Sequence, residues 1–227
     1  TDDTRGKNFL AQAVIEKQGR VTADDVAKVV MRDIRPEQWS VPGRLFPLYQ
    51  IHYFHRDPRD AGRFNVPHGA AGWFTSIAII NACNPWQASR DVFDVASIWK
   101  RGIDRELVCA FTAATAEAFK GDSTVDSIME AALAFVSKQT RELIEKALAV
   151  AEKSATVEEL IPLLYEECVI EKPKVFQHER KMHPEITITN DLAEQVPCAL
   201  AIFYGAKGDP RLTLTGAVNF GRDCDSI

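Results

Sequence analysis

The chain opens Thr1-Asp2-Asp3-Thr4 and closes Asp223-Cys224-Asp225-Ser226-Ile227, so each end carries two carboxylates beside hydroxyls. Singly, each motif has an ordinary structural reading. Thr and Asp ahead of an apolar periodic run serve as helix caps. Asp-x-Asp in a glycine-containing stretch serves as a turn, because Asp hydrogen-bonds its own backbone. Together they describe a different chemistry. If the termini meet, as is common in compact domains, four like charges crowd one place and need a cation to neutralise them. Carboxylate and hydroxyl oxygens suit a hard cation, Mg²⁺ or Mn²⁺, and argue against zinc. In an extended segment Asp223 and Asp225 point one way and Cys224 the other.

Other chemistry-bearing residues are weaker candidates. His52 and His55 stand three apart, but no carboxylate or cysteine at ligand spacing accompanies them, so a surface or packed pair is the simpler reading. The five cysteines (Cys83, Cys109, Cys168, Cys198 and Cys224) form no C-x-x-C pair and read as reduced, mostly apolar residues of a cytoplasmic protein. No P-loop and no G-x-G-x-x-G occurs. A net charge of −5 supplies no basic footprint for nucleic acid. No apolar run approaches the ~20 residues of a membrane span.

The elements that must position these residues are helical. Phe9, Leu10, Ala13 and Val14 share one face of a stretch from Arg5 to Gln18, and Gly19 ends it. Thr22 with Asp25 opens a second helix bearing Val26, Val29 and Val30. Residues 35–67 are rich in Pro, Gly and aromatics and read as a long loop with short helical turns, the kind of excursion that often carries function. Helical patterns resume over Ala70 to Ala82, Ala88 to Lys100 and Asp104 to Lys120. Ser123 with Asp126 is expected to cap the next helix. Thr140 to Lys153 follows, then a capping box at Thr156 and Glu159, then a last long helix from a cap at Asn190 to Gly205. No alternating strand pattern, repeat or low-complexity tract interrupts this order. The expectation is an all-α protein, one domain over residues 1–227.

The opening TDDT and the closing A-V-N-x-G-x-D-x-D-[ST] resemble the two metal-binding signatures of the ADP-ribosylglycohydrolase family. The stretch EQVPCALAIFYGAKGDPRLTLTGAVNFGRDCDS is similar to the family's run from a Val-Pro-x-Ala-Leu helix, through a Gly-Asp turn, into the acidic motif. The resemblance implies a compact orthogonal bundle of helices around two Mg²⁺ ions, with Mn²⁺ as a substitute. It implies Thr1, Asp2, Asp3, Asp223, Asp225 and Ser226 as metal ligands, with Asp2, Asp3, Asp223 and Asp225 as the catalytic carboxylates. It further implies hydrolysis of an N- or O-glycosidic bond to ribose, in an ADP-ribosylated protein or a small ADP-ribose-like conjugate, by a monomer. A different ribosyl or nucleoside substrate is the alternative, as is a structural, crystallin-like relative. The chain departs from the pattern in three places. The family's flanking helices at both ends are absent, so a segment trimmed at both ends is expected. The family's Gly-Asn-Gly-x-x-Met-Arg loop would fall on PHGAAGWF, assigning substrate contacts to His68, Gly69, Gly72 and Trp73, with His68 in place of Asn and Trp73 in place of Arg. A histidine of a downstream helix is replaced near Trp99 and Lys100. Trp73, with Phe74, could stack on a base or ribose face, although aromatics at a helix start are more often core, and it cannot replace a bidentate guanidinium.

Overall fold

The computed structural model describes residues 2–35, 37, 45–64, 69–168 and 192–221. The architecture over these residues is all-α, and no strand occurs among them. Contacts divide the chain into two compact units, Thr1–Pro67 with Ala71–Thr140, and His68–Ala70 with Arg141–Ile227.

The first unit contains α1 (Asp2–Lys17), α2 (Ala23–Asp33), α3 (Phe46–Phe54), α4 (Pro58–Ala61), a 3₁₀ turn at Gly62–Phe64 and a second at Ala71–Phe74. It continues through α5 (Thr75–Ile80), α6 (Pro85–Ala96), α7 (Gly102–Glu117) and α8 (Val125–Ala134). The starts follow from capping chemistry. Thr22 and Asp25 form a reciprocal capping box on α2. Asn84 accepts from the Gln87 N–H ahead of Pro85, whose fixed φ suits the first helical position. The start of α8 differs from expectation. Thr124, not Ser123, is its cap, in a box with Ser127, while the Ser123 hydroxyl donates to the Lys120 carbonyl and helps close the turn after α7. The long loop expected over 35–67 contains a nine-residue helix, α3, and two shorter helical turns.

Burial of Leu10, Val26, Val30, Phe74, Ile77 and Leu107 builds the core of this unit. α1 packs on α2, α5 and the Ala71–Phe74 turn, while α7 lies between α6 and α8. One polar knot ties the helices together. Buried Asp91 on α6 receives the Arg20 guanidinium at 2.7 and 2.9 Å, Asn81 at 3.0 Å and Gln87 at 2.7 Å. Burial pushes the Asp91 carboxyl up, but these donors outweigh it and hold it below its ordinary value.

The second unit holds the greater part of α9 (Lys138–Glu152), then α10 (Val157–Glu167), α11 (Leu192–Gly205) and α12 (Pro210–Phe220). Thr156 caps α10 by accepting from the Glu159 N–H, but the expected box shifts by one residue, the Glu159 carboxylate accepting from the Ala155 N–H at 3.1 Å. Ala147, Leu160, Leu164, Ile202 and Phe220 fill the core where α10 meets α11 and α12. α12 corrects the expectation that the helix ending at Gly205 is the last. Asp209 caps it by accepting from the Leu212 N–H at 2.7 Å, and Pro210 occupies its first position. Asn190, the expected cap of α11, lies outside the described residues.

Candidate functional site

α1 begins at Asp2, three residues before the first residue of the helix read from the sequence, so Asp3 stands in its first turn. A carboxylate there complements the positive end of the helix dipole. Asp3 and Gly6 are three residues apart and share a face of the helix. That face meets the 3₁₀ turn carrying Trp73. The Trp73 indole Nε1–H donates to Asp3 Oδ1 at 2.7 Å, across 70 residues of sequence.

Gly6 makes this pairing sterically available. A Cβ at Gly6 would stand 2.3 Å from Trp73 Cδ2 and 2.5 Å from Cε2, so only glycine lets the indole lie flat on α1. Trp99 closes the other flank, with ring centroids 5.7 Å apart and planes at 86°, an edge-to-face contact. Trp73 is 1% exposed. Of the two readings of Trp73, the burial fits the core one and not stacking on a base or ribose: the indole has no open face, and its polar edge serves Asp3. Trp99 and Lys100, where the downstream histidine is replaced, are themselves buried at 3% each.

Of the other substrate candidates, Gly69 lies in the second unit against buried Gln195 of α11. A Cβ there would come within 2.2 Å of Gln195 Oε1, so the backbone runs directly over the carboxamide. The next residue, Ala70, has φ of 74°, a left-handed conformation that is strained for a residue with a side chain. Gly72 is partly exposed, and no described atom lies within 4 Å of where its Cβ would stand. His68 lies outside the described residues.

The same holds for Thr1, Asp223, Asp225 and Ser226, so the expected meeting of the two ends concerns residues outside the description. The side chain of Asp2 is likewise undescribed. Among the described residues no group of three or more His, Cys, Asp or Glu side chains forms a metal cage. What is described of the acidic motif's support is the end of α12. Phe220 is buried, its carbonyl accepts from the Tyr165 hydroxyl, and Gly221 turns the chain with φ of 72° immediately before Arg222. Asp3, an oxygen donor oriented by an N–H, fits a hard cation in its chemistry and does not fit a soft one.

The remaining candidates recede. His52 packs edge-on against Tyr53 with centroids 4.7 Å apart, beside a cavity of about 180 Å³ walled largely by Ile34, Leu45, Leu48 and Tyr49. Burial pushes the Cys109 thiol up to about 12, which makes it a poor nucleophile. Sequence reading missed Gly6 and Gln195, and it singled out Trp99 without its contact to Trp73. Gly6 alone left a signal, an isolated glycine inside a helical stretch, which usually has a packing reason.

No helix among the described residues is long and apolar enough to cross a membrane. Neither a curated protein nor a solved structure matches the chain. The model of the ADP-ribosylglycohydrolase family matches residues 1–227, and the chain belongs to that family.

Proposed function

We propose that this member of the ADP-ribosylglycohydrolase family is a Mg²⁺-dependent hydrolase that cleaves the N- or O-glycosidic bond joining ribose to a protein side chain or small leaving group in an ADP-ribose conjugate. The observation that carries the proposal is Asp3, an acidic side chain of the opening motif, fixed by an indole N–H on the first turn of α1. Thr1, Asp2, Asp3, Asp223, Asp225 and Ser226 would hold the cations. The chemistry a Mg²⁺ site supplies when loaded is a polarised water and oriented ribose hydroxyls. The protein's own part is threefold. The carboxylates supply oxygen donors, and one not fully engaged accepts a proton from the attacking water. The Gly69–Gly72 stretch brings backbone N–H groups near the diphosphate. Trp73, buried beside Asp3, keeps water from that side of the carboxylate. Five cysteines without a C-x-x-C pair accord with reduced thiols in a cytoplasmic compartment.

One observation favours a second reading. Trp73 is buried and neutral where the family pattern carries a guanidinium, so this turn lacks a bidentate clamp for a diphosphate. A smaller ribosyl or nucleoside substrate would not need that clamp.

The test is product analysis by chromatography after incubation with ADP-ribosylated protein, small ADP-ribose conjugates and nucleosides, in Mg²⁺ or in EDTA. Release of ADP-ribose in Mg²⁺ alone is the expected result. Turnover of nucleosides only would select the second reading, and no turnover of any of the three by folded protein would end both.

A further inference from the structure

We infer that Trp73 is a positioning residue for the cation site: its indole N–H sets the orientation of the Asp3 carboxylate, and Gly6 is the device that lets it do so. The inference rests on the metal-dependent reading above and assigns Trp73 a task different from substrate contact. An indole nitrogen only donates, so a buried indole must find an acceptor, and here the acceptor is Asp3 Oδ1 at 2.7 Å. The ring cannot turn away from that partner. Its face is pressed on Gly6, where a Cβ would stand within 2.3 Å, and Trp99 meets it edge-on at 5.7 Å. Carboxylates that bind cations are themselves hydrogen-bonded, and losing such a partner commonly weakens metal binding by 10- to 100-fold. Asp3 and Gly6 on one helical face, with a locked donor above them, make such a support.

The test uses the whole chain and Mn²⁺ as the probe. Trp73→Phe keeps an aromatic ring on Gly6 and removes the N–H. Calorimetric titration with Mn²⁺, well below the melting temperature, should show wild type binding and the variant binding about tenfold more weakly. Should the variant not fold, the wild-type protein carries the test by itself. The Trp73 indole ¹H–¹⁵N resonance, assigned by through-bond spectra, should shift as Mg²⁺ is added, with the midpoint of a calorimetric Mg²⁺ titration of the same protein. Equal Mn²⁺ affinity in folded Trp73→Phe, or an indole resonance indifferent to saturating Mg²⁺, would leave the metal reading standing and overturn this inference alone. A wild-type protein that binds neither ion would remove the metal reading and this inference with it.

Discussion

Asp3 was visible as a candidate ligand because the opening acid pair has a counterpart in the closing Asp-x-Asp, although each motif alone reads as a cap or a turn. Its partner was not, since nothing local in the sequence ties Asp3 to an indole 70 residues away. The same blindness affected the glycines of the substrate loop, which look alike in sequence and differ in surroundings. Gly69 is pinned against Gln195, so Gly69→Ala should destabilise by about 1–3 kcal/mol through overpacking, read as a lower melting temperature. Gly72 has room, so Gly72→Ala should stay within about 0.5 kcal/mol of wild type. On the functional reading it should nonetheless raise KM, because a methyl group would intrude on a substrate lying over that backbone. An unchanged KM would remove Gly72 from the binding site. Cysteine labelling gives a further check at this scale. Exposed Cys83 should alkylate readily at pH 8 while Cys109, buried and pushed up to about 12, stays unlabelled in mass spectra of the native protein.

Helices were legible wherever capping chemistry and apolar spacing agreed. Thr22 and Thr156 cap their helices, and the Val26, Val29 and Val30 stripe of α2 is buried in its core. α12 escaped notice because its eleven residues, PRLTLTGAVNF, combine β-branched residues with a glycine, and the residues of its Asp-Pro start resembled a turn. Tertiary packing, with Phe220 in the core, outweighs that poor propensity. The cap is correspondingly important: Asp209→Ala should cost about 1 kcal/mol in thermal or denaturant unfolding. The Asp91 knot binds α6 to Arg20 and to Asn81, and its pH dependence has a definite sign. Its carboxyl lies below the ordinary value when folded, so its contribution is complete above about pH 4, the unfolded range. That contribution is lost as pH falls further through the folded value. Stability should therefore decline below about pH 4, and Asp91→Ala should flatten the decline while lowering stability at neutral pH by about 1–3 kcal/mol. An acid profile identical in the mutant would mean that the knot is electrostatically idle.

At the scale of the whole molecule, fold class and family follow from different kinds of information. Helical periodicity repeats along the chain and survives local errors of a cap or a boundary, so the all-α architecture was readable throughout. The division into two compact units was not, because it depends on which helices pack together rather than on any shift in composition. The family match spans residues 1–227, and it joins the opening acidic motif to the closing one in a single chain. The account's central claim is that hydrolysis runs on a cation held in part by Asp3. Its most direct test is the rate of ADP-ribose release from an ADP-ribosylated protein, measured against Mg²⁺ concentration for wild type and Asp3→Asn, with folding of both verified by melting curves. The account predicts saturable Mg²⁺ dependence in wild type, abolished by EDTA. For Asp3→Asn it predicts a loss of at least about 100-fold in kcat/KM, near 2.7 kcal/mol of transition-state stabilisation. A folded Asp3→Asn that hydrolyses as fast as wild type, or release undiminished in EDTA, would contradict it.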